Sequence, residues 1–478
     1  MYLMLIVIGV IVAVIVLLVI RTLLFIPSRD KTVEKSIYNI NLDDLSDHLV
    51  SMVRCKTVSS YDKTLTSIDE FDKFRNLLIK LYPKTHQNAT LESIGQTGLL
   101  YRVKGKDSSK SIVLMSHYDV VPAAEEYWEK PPFEGIVENN TIWGRGTLDT
   151  KGTLCGIMEA VEILISEGFT PQYDIYLAFS GDEEIAGNTA PTMVDELKGR
   201  GVSPYMVVDE GGAVVEGIFP GVAVPTALIG TAEKGMLDLR LKVKSKGGHA
   251  SSPPVHTPIG VLAKAVTRIE NKPFKFILTP PVKSLFSALG RHSSFIYRMV
   301  FANLWFFSPI LDLLCRKSGG ELNAMMRTTC AFTMMQGSDA TNVIPPVASV
   351  GANLRIIGGQ TYESIVDQIK KITKTDEIEY DIIYGMNPSP SSSIEGPGYE
   401  ILSDAIAQTW SNALISPYLM FACSDSRHYH NISDYVYRFS AMHLTSEQRA
   451  LIHSHNERIT IDQLEKIVEF YLNLIKKC

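Results

Sequence analysis

Ser111-Ile-Val-Leu-Met-Ser-His117-Tyr-Asp119 decides the fold. Its apolar run is strand-length, and an acid and a histidine follow at once. A strand apolar on both faces is covered on both faces, as in a parallel sheet. Two more runs share this form. Residues 175–179 lead into Ser180-Gly-Asp182-Glu183-Glu184, and 205–208 lead into Asp209-Glu210-Gly-Gly. Helical spacing lies between them, at 153–167 (Leu154, Ile157, Met158, Val161, Leu164) and at 191–198. This alternation predicts an α/β fold, a mostly parallel sheet flanked by helices. Upstream, 42–53 and 71–82 also have helical spacing.

Past Thr231 the pattern changes. Residues 237–243 alternate as Leu-Asp-Leu-Arg-Leu-Lys-Val, the mark of a half-exposed strand. A helix at 258–269, strands at 328–335 and 348–356, a helix at 362–372 and a strand at 378–384 follow. That order, β-α-β-β-α-β, predicts a ferredoxin-like α+β unit. After Asn387-Pro-Ser-Pro, α/β character resumes with helices at 399–410 and 461–475. The chain thus reads as a large domain in two parts, 40–231 and 388–478, with an inserted domain at 232–387. Inside the insertion, 295–314 is unusually aromatic (Phe295, Tyr297, Phe301, Trp305, Phe306, Phe307). Arg298, Asn303, Pro309 and Asp312 argue against a membrane span there. The stretch reads as a buried helix or dimer interface, or as a surface that meets lipid or a lipophilic substrate.

A chain of 478 residues suits two domains. Its formal charge of −6 and lack of basic runs make nucleic acid an unexpected partner. Six scattered cysteines without Cys-x-x-Cys exclude a zinc ribbon and a disulfide-dense scaffold. Residues 1–20 hold no charged side chain, enough to cross a bilayer as a helix. Residues 1–26 therefore read as a single-pass membrane anchor, or as a signal that is cleaved to release a secreted protein. Residues 30–40 read as a linker. The sidedness signals conflict. Arg21, Arg29, Lys31 and Lys35 favour a cytoplasmic flank. Sequons at Asn88, Asn139 and Asn431 favour a lumenal or outer location for the large domain.

Five places carry metal-ligand residue types, and ligands in open α/β sheets collect beyond the carboxyl ends of strands. They are His117-Tyr-Asp119; Asp149 in Trp143-Gly-Arg-Gly-Thr-Leu-Asp-Thr-Lys-Gly152; Asp182-Glu183-Glu184; Asp209-Glu210; and His453-Ser-His455-Asn-Glu457. His117 suits a metal and Asp119 suits fixing the imidazole. Asp149 reads as a helix N-cap or as a carboxylate bridging two cations. Three consecutive acids at 182–184 repel unless a cation sits among them. Residue type does not divide Glu183 from Glu184, Asp209 from Glu210, or His453 from His455.

These motifs, with Gly247-Gly-His-Ala-Ser-Ser-Pro-Pro254, resemble the zinc aminoacylase, carboxypeptidase S and glutamate carboxypeptidase group of metallopeptidases. The likeness runs from about residue 45 to the C-terminus. It is nearest the carboxypeptidase S branch, which includes enzymes acting on N-fatty-acyl amino acids. The resemblance implies a pair of divalent metal ions, zinc with cobalt or manganese as alternatives. Asp149 would bridge them, His117 and Glu210 completing one and Glu184 and His453 the other. Glu183 would be the general base, Asp119 would orient His117, and His249 on the inserted lid would stabilise the oxyanion. Asn342, Arg355 and Arg427 would bind a small-molecule or peptide substrate with a free carboxylate, and the lid could form a homodimer. The implied reaction is hydrolysis of N-acyl amino acids or of C-terminal peptide bonds. Dipeptidase or deacetylase activity, or a non-catalytic membrane-anchored binding protein, are the rival readings. Relatives often have Gly-Gly-Thr-Asp-x-Arg where this chain has Ala422-Cys-Ser-Asp-Ser-Arg427, so the loop that contacts substrate differs.

Overall fold

A computed structural model of the chain describes residues 1–27, 36–217, 219 and 221–478. The linker expected over 30–40 lies largely outside these residues, as do Arg29, Lys31 and Lys35. The central sheet has eight strands. In spatial order they are Ala89–Ile94, Gly98–Val103, Tyr173–Ser180, Asp107–His117, Met206–Val215, Val436–Leu444, Thr226–Glu233 and Leu414–Met420. The strand read first sits inside it. Ile112, Val113 and Leu114 pair in parallel with 175–177 on one side and 206–208 on the other. All three side chains are buried, as a doubly covered strand requires. The edge strands Ala89–Ile94 and Gly98–Val103 run antiparallel.

Helices cover both faces. Leu42–Val53 begins where Asn41 accepts from the amides of Asp43 and Asp44, and buries Leu45, Leu49, Met52 and Val53. Ile461–Ile475 is capped by Thr460 and buries Leu464, Ile467, Val468, Tyr471 and Leu472 at helical spacing. It packs with Lys151–Ser166, which is buried along most of its length.

A second, four-stranded antiparallel sheet has the order Thr329–Gln336, Val347–Ile356, Gly235–Lys244, Glu379–Met386. With the helices Pro258–Glu270 and Tyr362–Thr373 this is the ferredoxin-like arrangement. Leu237, Leu239, Leu241 and Val243 point inward at period two, onto Leu262 and Ile369. This core is separate from that of the large sheet.

Residues 280–325 fall between the strands of this small sheet in the chain but pack elsewhere. Val282, Leu285, Phe286 and Leu289, on the Pro280–His292 helix, join the large core with Leu419. The aromatic stretch forms two helices, Phe295–Ala302 and Leu304–Ser318, set 107° apart about Asn303. They bury only Ala302 and Cys315, so the buried-helix reading of 295–314 does not hold. The N-terminal helix, Tyr2–Leu24, buries only Leu18 and Thr22.

Candidate metal centre

The sheet brings all five sequence sites together. His117 is the last residue of its strand and is 2% exposed. Its Nε2 lies 3.0 Å from Asp149 Oδ1 and 3.5 Å from Glu210 Oε1. On the other side His453 Nε2 lies 3.1 Å from Asp149 Oδ2 and 3.0 Å from Glu184 Oε2. Asp149 thus stands between two histidines, one oxygen toward each. Glu183 Oε2 is 4.0 Å from His117 Nε2. Two sets of ligand atoms could each hold a cation, His117 with Asp149 and Glu184, and His117 with Glu183 and Glu210.

Local structure explains which member of each pair faces inward. The strand Met206–Val215 slips against Val436–Leu444: Asp209 sits opposite Arg438, and Gly212 opposite the next residue, Phe439. Glu210 and Gly211 form the bulge, which re-aims Glu210 toward His117. Gly211 has φ 141°, and a Cβ there would meet Met420 Sδ at 2.6 Å. Asp209 turns away and accepts from the Ser426 amide at 3.0 Å. At the far site His453 adopts φ 59°, a sparsely populated region for a non-glycine residue. His455 instead packs on the Tyr127 ring, centroids 5.1 Å apart.

Asp119 does more than face His117 Nδ1 at 3.3 Å. Its carboxylate also accepts from the amides of Glu183 (3.3 Å) and Glu184 (3.1 Å) and from Ser59 Oγ. One buried acid therefore fixes both the imidazole and the turn carrying both glutamates. Glu457, which sequence reading left without a role, staples the Asp149 loop. It accepts from Arg145 Nη1 (2.8 Å) and from the amides of Gly146 (3.0 Å), Leu148 (2.8 Å) and Asp149 (3.2 Å). The only sequence signal for this was its place beside the histidines.

The electrostatics ask for a cation. Burial, joined by the Asp149 charge, raises Glu210 to about 8. Burial and nearby acids hold Glu183 well above the carboxylate range and raise Glu184. Hydrogen bonds that His453 donates to Asp149 and Glu184 raise its imidazole to about 10. Burial opposes charge on His117, but Glu210, Asp119 and Asp149 outweigh it and raise the imidazole. Without metal these groups gather protons that a divalent cation would displace. Glu184 Oε1 is buried without a hydrogen-bond partner among the described residues, as a ligand oxygen would be. The nitrogen and carboxylate donor set fits zinc-type ions.

The remaining predicted residues lie outside this cluster. His249 and Asn342 share one small ribbon, where Gly248–His249 pairs with Val343–Ile344 and the Ala250 amide donates to Asn342 O at 2.9 Å. His249 is exposed, with Nδ1 2.8 Å from Ser251 Oγ. Arg355 lies beside Cys423, Nη1 to Sγ 3.8 Å. No carboxylate pairs with it among the described residues. Arg427, expected to bind substrate, is engaged within the protein. It donates to Glu233 Oε2 (3.3 Å) and Asn387 O (2.6 Å), and Glu233 also binds buried Arg438 at 2.5 Å.

Residues 113–477 match the model of peptidase family M20/M25/M40. A probable carboxypeptidase S-like 2 protein of Dictyostelium discoideum is 36% identical over 446 residues, covering 91% of this chain and 85% of its own. The N-fatty-acyl-amino acid synthase/hydrolase PM20D1 of Xenopus tropicalis is 36% identical over 440 residues, covering 90% and 85%. The crystal structure of the M20 family metallo-carboxypeptidase Sso-CP2 from Sulfolobus solfataricus superposes with a TM-score of 0.66 over 90% of this chain and 98% of that one. Its 18% identity speaks to fold alone. Because both the family match and the relatives run through most of the chain, the protein belongs to peptidase family M20/M25/M40 and is a metal-dependent hydrolase of peptide or amide bonds.

Proposed function

We propose that this protein hydrolyses the amide bond of N-acyl amino acids, with the C-terminal peptide bond of small peptides as a second substrate class. Two divalent cations, zinc foremost, would be held at the site. The observation that carries this reading is Asp149, whose oxygens face His117 at 3.0 Å and His453 at 3.1 Å. Asp149 would be shared, with His117 and Glu210 holding one cation and Glu184 and His453 the other. The relatives' names, carboxypeptidase S-like and N-fatty-acyl-amino acid synthase/hydrolase, support these substrate classes.

Bound cations supply Lewis acidity, which activates a water and polarises the scissile carbonyl. Glu183 takes the proton of the attacking water and returns it to the leaving amine nitrogen. Asp119 keeps His117 and the Glu183 turn in register. Arg355, which has no carboxylate partner among the described residues, pairs with the substrate carboxylate, to which a guanidinium fork is suited. His249 donates to the oxyanion once the lid, drawn from 232–387, closes or meets a second copy. Exposed Met334, Met335 and Ile383 on the lid sheet support such a dimer. The Tyr2–Leu24 helix anchors the chain in a membrane. Its catalytic part lies on the lumenal or outer side, as the exposed sequon residues Asn88, Asn139 and Asn431 suggest.

The test is a panel of N-acyl amino acids and blocked dipeptides offered to the purified full-length protein, with and without chelator, alongside metal analysis. Chelator-sensitive release of the free amino acid from N-acyl substrates is expected. Cleavage of dipeptides alone would select the dipeptidase reading. Metal without any turnover would select a binding protein.

A further inference from the structure

We infer that the helices Phe295–Ala302 and Leu304–Ser318 form a second membrane contact. They lie in the headgroup and acyl boundary of the bilayer that the N-terminal helix crosses. The inference rests on the proposed anchor. That helix has 23 residues, about 34 Å at the α-helical rise, and a mean hydropathy of 3.7 over its most apolar window.

The anchor does not hang free. Asn303, wholly buried at the junction of the two aromatic helices, donates from Nδ2 to Leu18 O at 3.1 Å and lies 3.3 Å from Thr22 Oγ1. Arg21 Nε donates to Asn303 Oδ1 and Arg21 Nη2 to Ala302 O, both at 3.1 Å. Arg291 covers the Phe25 ring at 4.5 Å and donates to Ile26 O at 2.8 Å. These contacts fall within the last turns of the anchor, about 9 Å from its end at the helical rise. The aromatic helices therefore meet the anchor where it leaves the bilayer, not along its length.

Their composition suits that depth. Ile296, Trp305, Phe306, Ile310, Leu313 and Leu314 are each at least 40% exposed, an apolar surface continuous with the anchor. The segment 291–318 carries Arg291, Arg298, Arg316 and Lys317 against a single acid, Asp312. Asp312 is already paired with Arg316 and Arg327. Aromatic and aliphatic residues with flanking cations are what an in-plane interfacial helix presents. The 107° break and Pro309 rule out one straight span. A second copy of the chain would have to cover this face while leaving room for the bilayer around the anchor. The bilayer covers both at once.

The test uses the full chain in phosphatidylcholine nanodiscs, with p-benzoylphenylalanine replacing Ile310, Val10 or Val255 in separate samples. Val10, in the anchor, is 58% exposed, and Val255, in the inserted segment, is 94% exposed. After irradiation, mass spectrometry counts lipid adducts. Lipid adducts at both Val10 and Ile310, at least tenfold above Val255, are expected. Lipid at Val10 with water or a second protein copy at Ile310 overturns the inference and leaves the anchor standing. No lipid at Val10 overturns the anchor and this inference with it.

Discussion

Removing the Glu457 carboxylate tests whether the metal pair depends on a staple between two loops. Glu457 is fully buried and Arg145 is 3% exposed. Its Oε2 accepts from Arg145 and Gly146, and its Oε1 from Leu148 and Asp149. Backbone pairing of Arg458–Thr460 with Thr141–Trp143 continues the same seam. Glu457→Ala leaves the Arg145 charge buried and unpaired, which costs about 3–5 kcal/mol. That is a large part of the stability of an ordinary domain, so the isosteric variant is the more informative one. Glu457→Gln has one oxygen for two pairs of donors, and its amide nitrogen must face the other pair. At least one buried donor loses its acceptor, for about 2 kcal/mol or more. Because Asp149 rides on this loop, metal affinity should fall about 10–100-fold, the usual effect of losing a group that positions a ligand. Adding Arg145→Met to Glu457→Gln removes the stranded cation and should recover part of the stability but not the affinity. Urea midpoints and competitive chelator titrations on the three variants provide the measurement. Unchanged midpoint and affinity in Glu457→Gln would refute the staple.

Three further outcomes follow from the same geometry. Glu183→Gln should retain bound metal by elemental analysis while kcat drops about 10²–10⁴-fold, and full activity would remove Glu183 as the base. His453→Ala should lose metal while His455→Ala keeps it, since only His453 faces Asp149 and Glu184; equal losses would contradict the geometry. Lys234 is buried, donates to Ala324 O and Arg327 O at 2.9 Å, and is pushed by burial and Arg355 from 10.5 down to about 7. Between pH 7 and 10 the unfolded chain therefore holds a proton the folded chain has lost. Stability gains about 1.4 kcal/mol per pH unit from this site as pH rises. Urea midpoints of wild type should rise relative to Lys234→Met from pH 7 to 9, and parallel profiles would contradict the assignment.

The parts legible in the chain were those whose information is local. The helices Leu42–Val53 and Ile461–Ile475 follow apolar spacing from end to end. The run before His117 is a strand because nothing polar interrupts it. The strands Thr226–Glu233 and Val436–Leu444 were not legible, because each carries a charge that a sequence reading assigns to the surface. Glu233 and Arg438 are both buried and neutralise each other at 2.5 Å across 205 residues of chain. The same limit applies to the site. A bulge turns Glu210 inward and frees Asp209 for Ser426. No spacing rule places a bulge.

Residues 280–325 show why chain order misleads about moving parts. They sit between strands of the small sheet in sequence, so reading order assigns them to the insertion. Packing assigns them to the large core, through Val282, Leu285, Phe286 and Leu289, and joins them to the N-terminal helix through Asn303. The helices that carry the exposed aromatic face are thereby fixed to the same body as Asp149 and both metal-facing histidines. His249 is exposed, on a ribbon that follows one strand of the four-stranded unit, Gly235–Lys244, and precedes another, Val347–Ile356. On the proposed reading, a movement that carries His249 to the carboxylates need shift only that unit, and the helices proposed to meet the membrane can stay in place while the site closes. If those helices instead belonged to the lid, each closure would drag about half a dozen large apolar side chains through the lipid boundary. At about 1.5–3 kcal/mol for each side chain exposed to water, that movement would oppose turnover. The division of the cores would therefore separate the proposed anchoring from catalysis, through packing that the linear order of the chain conceals.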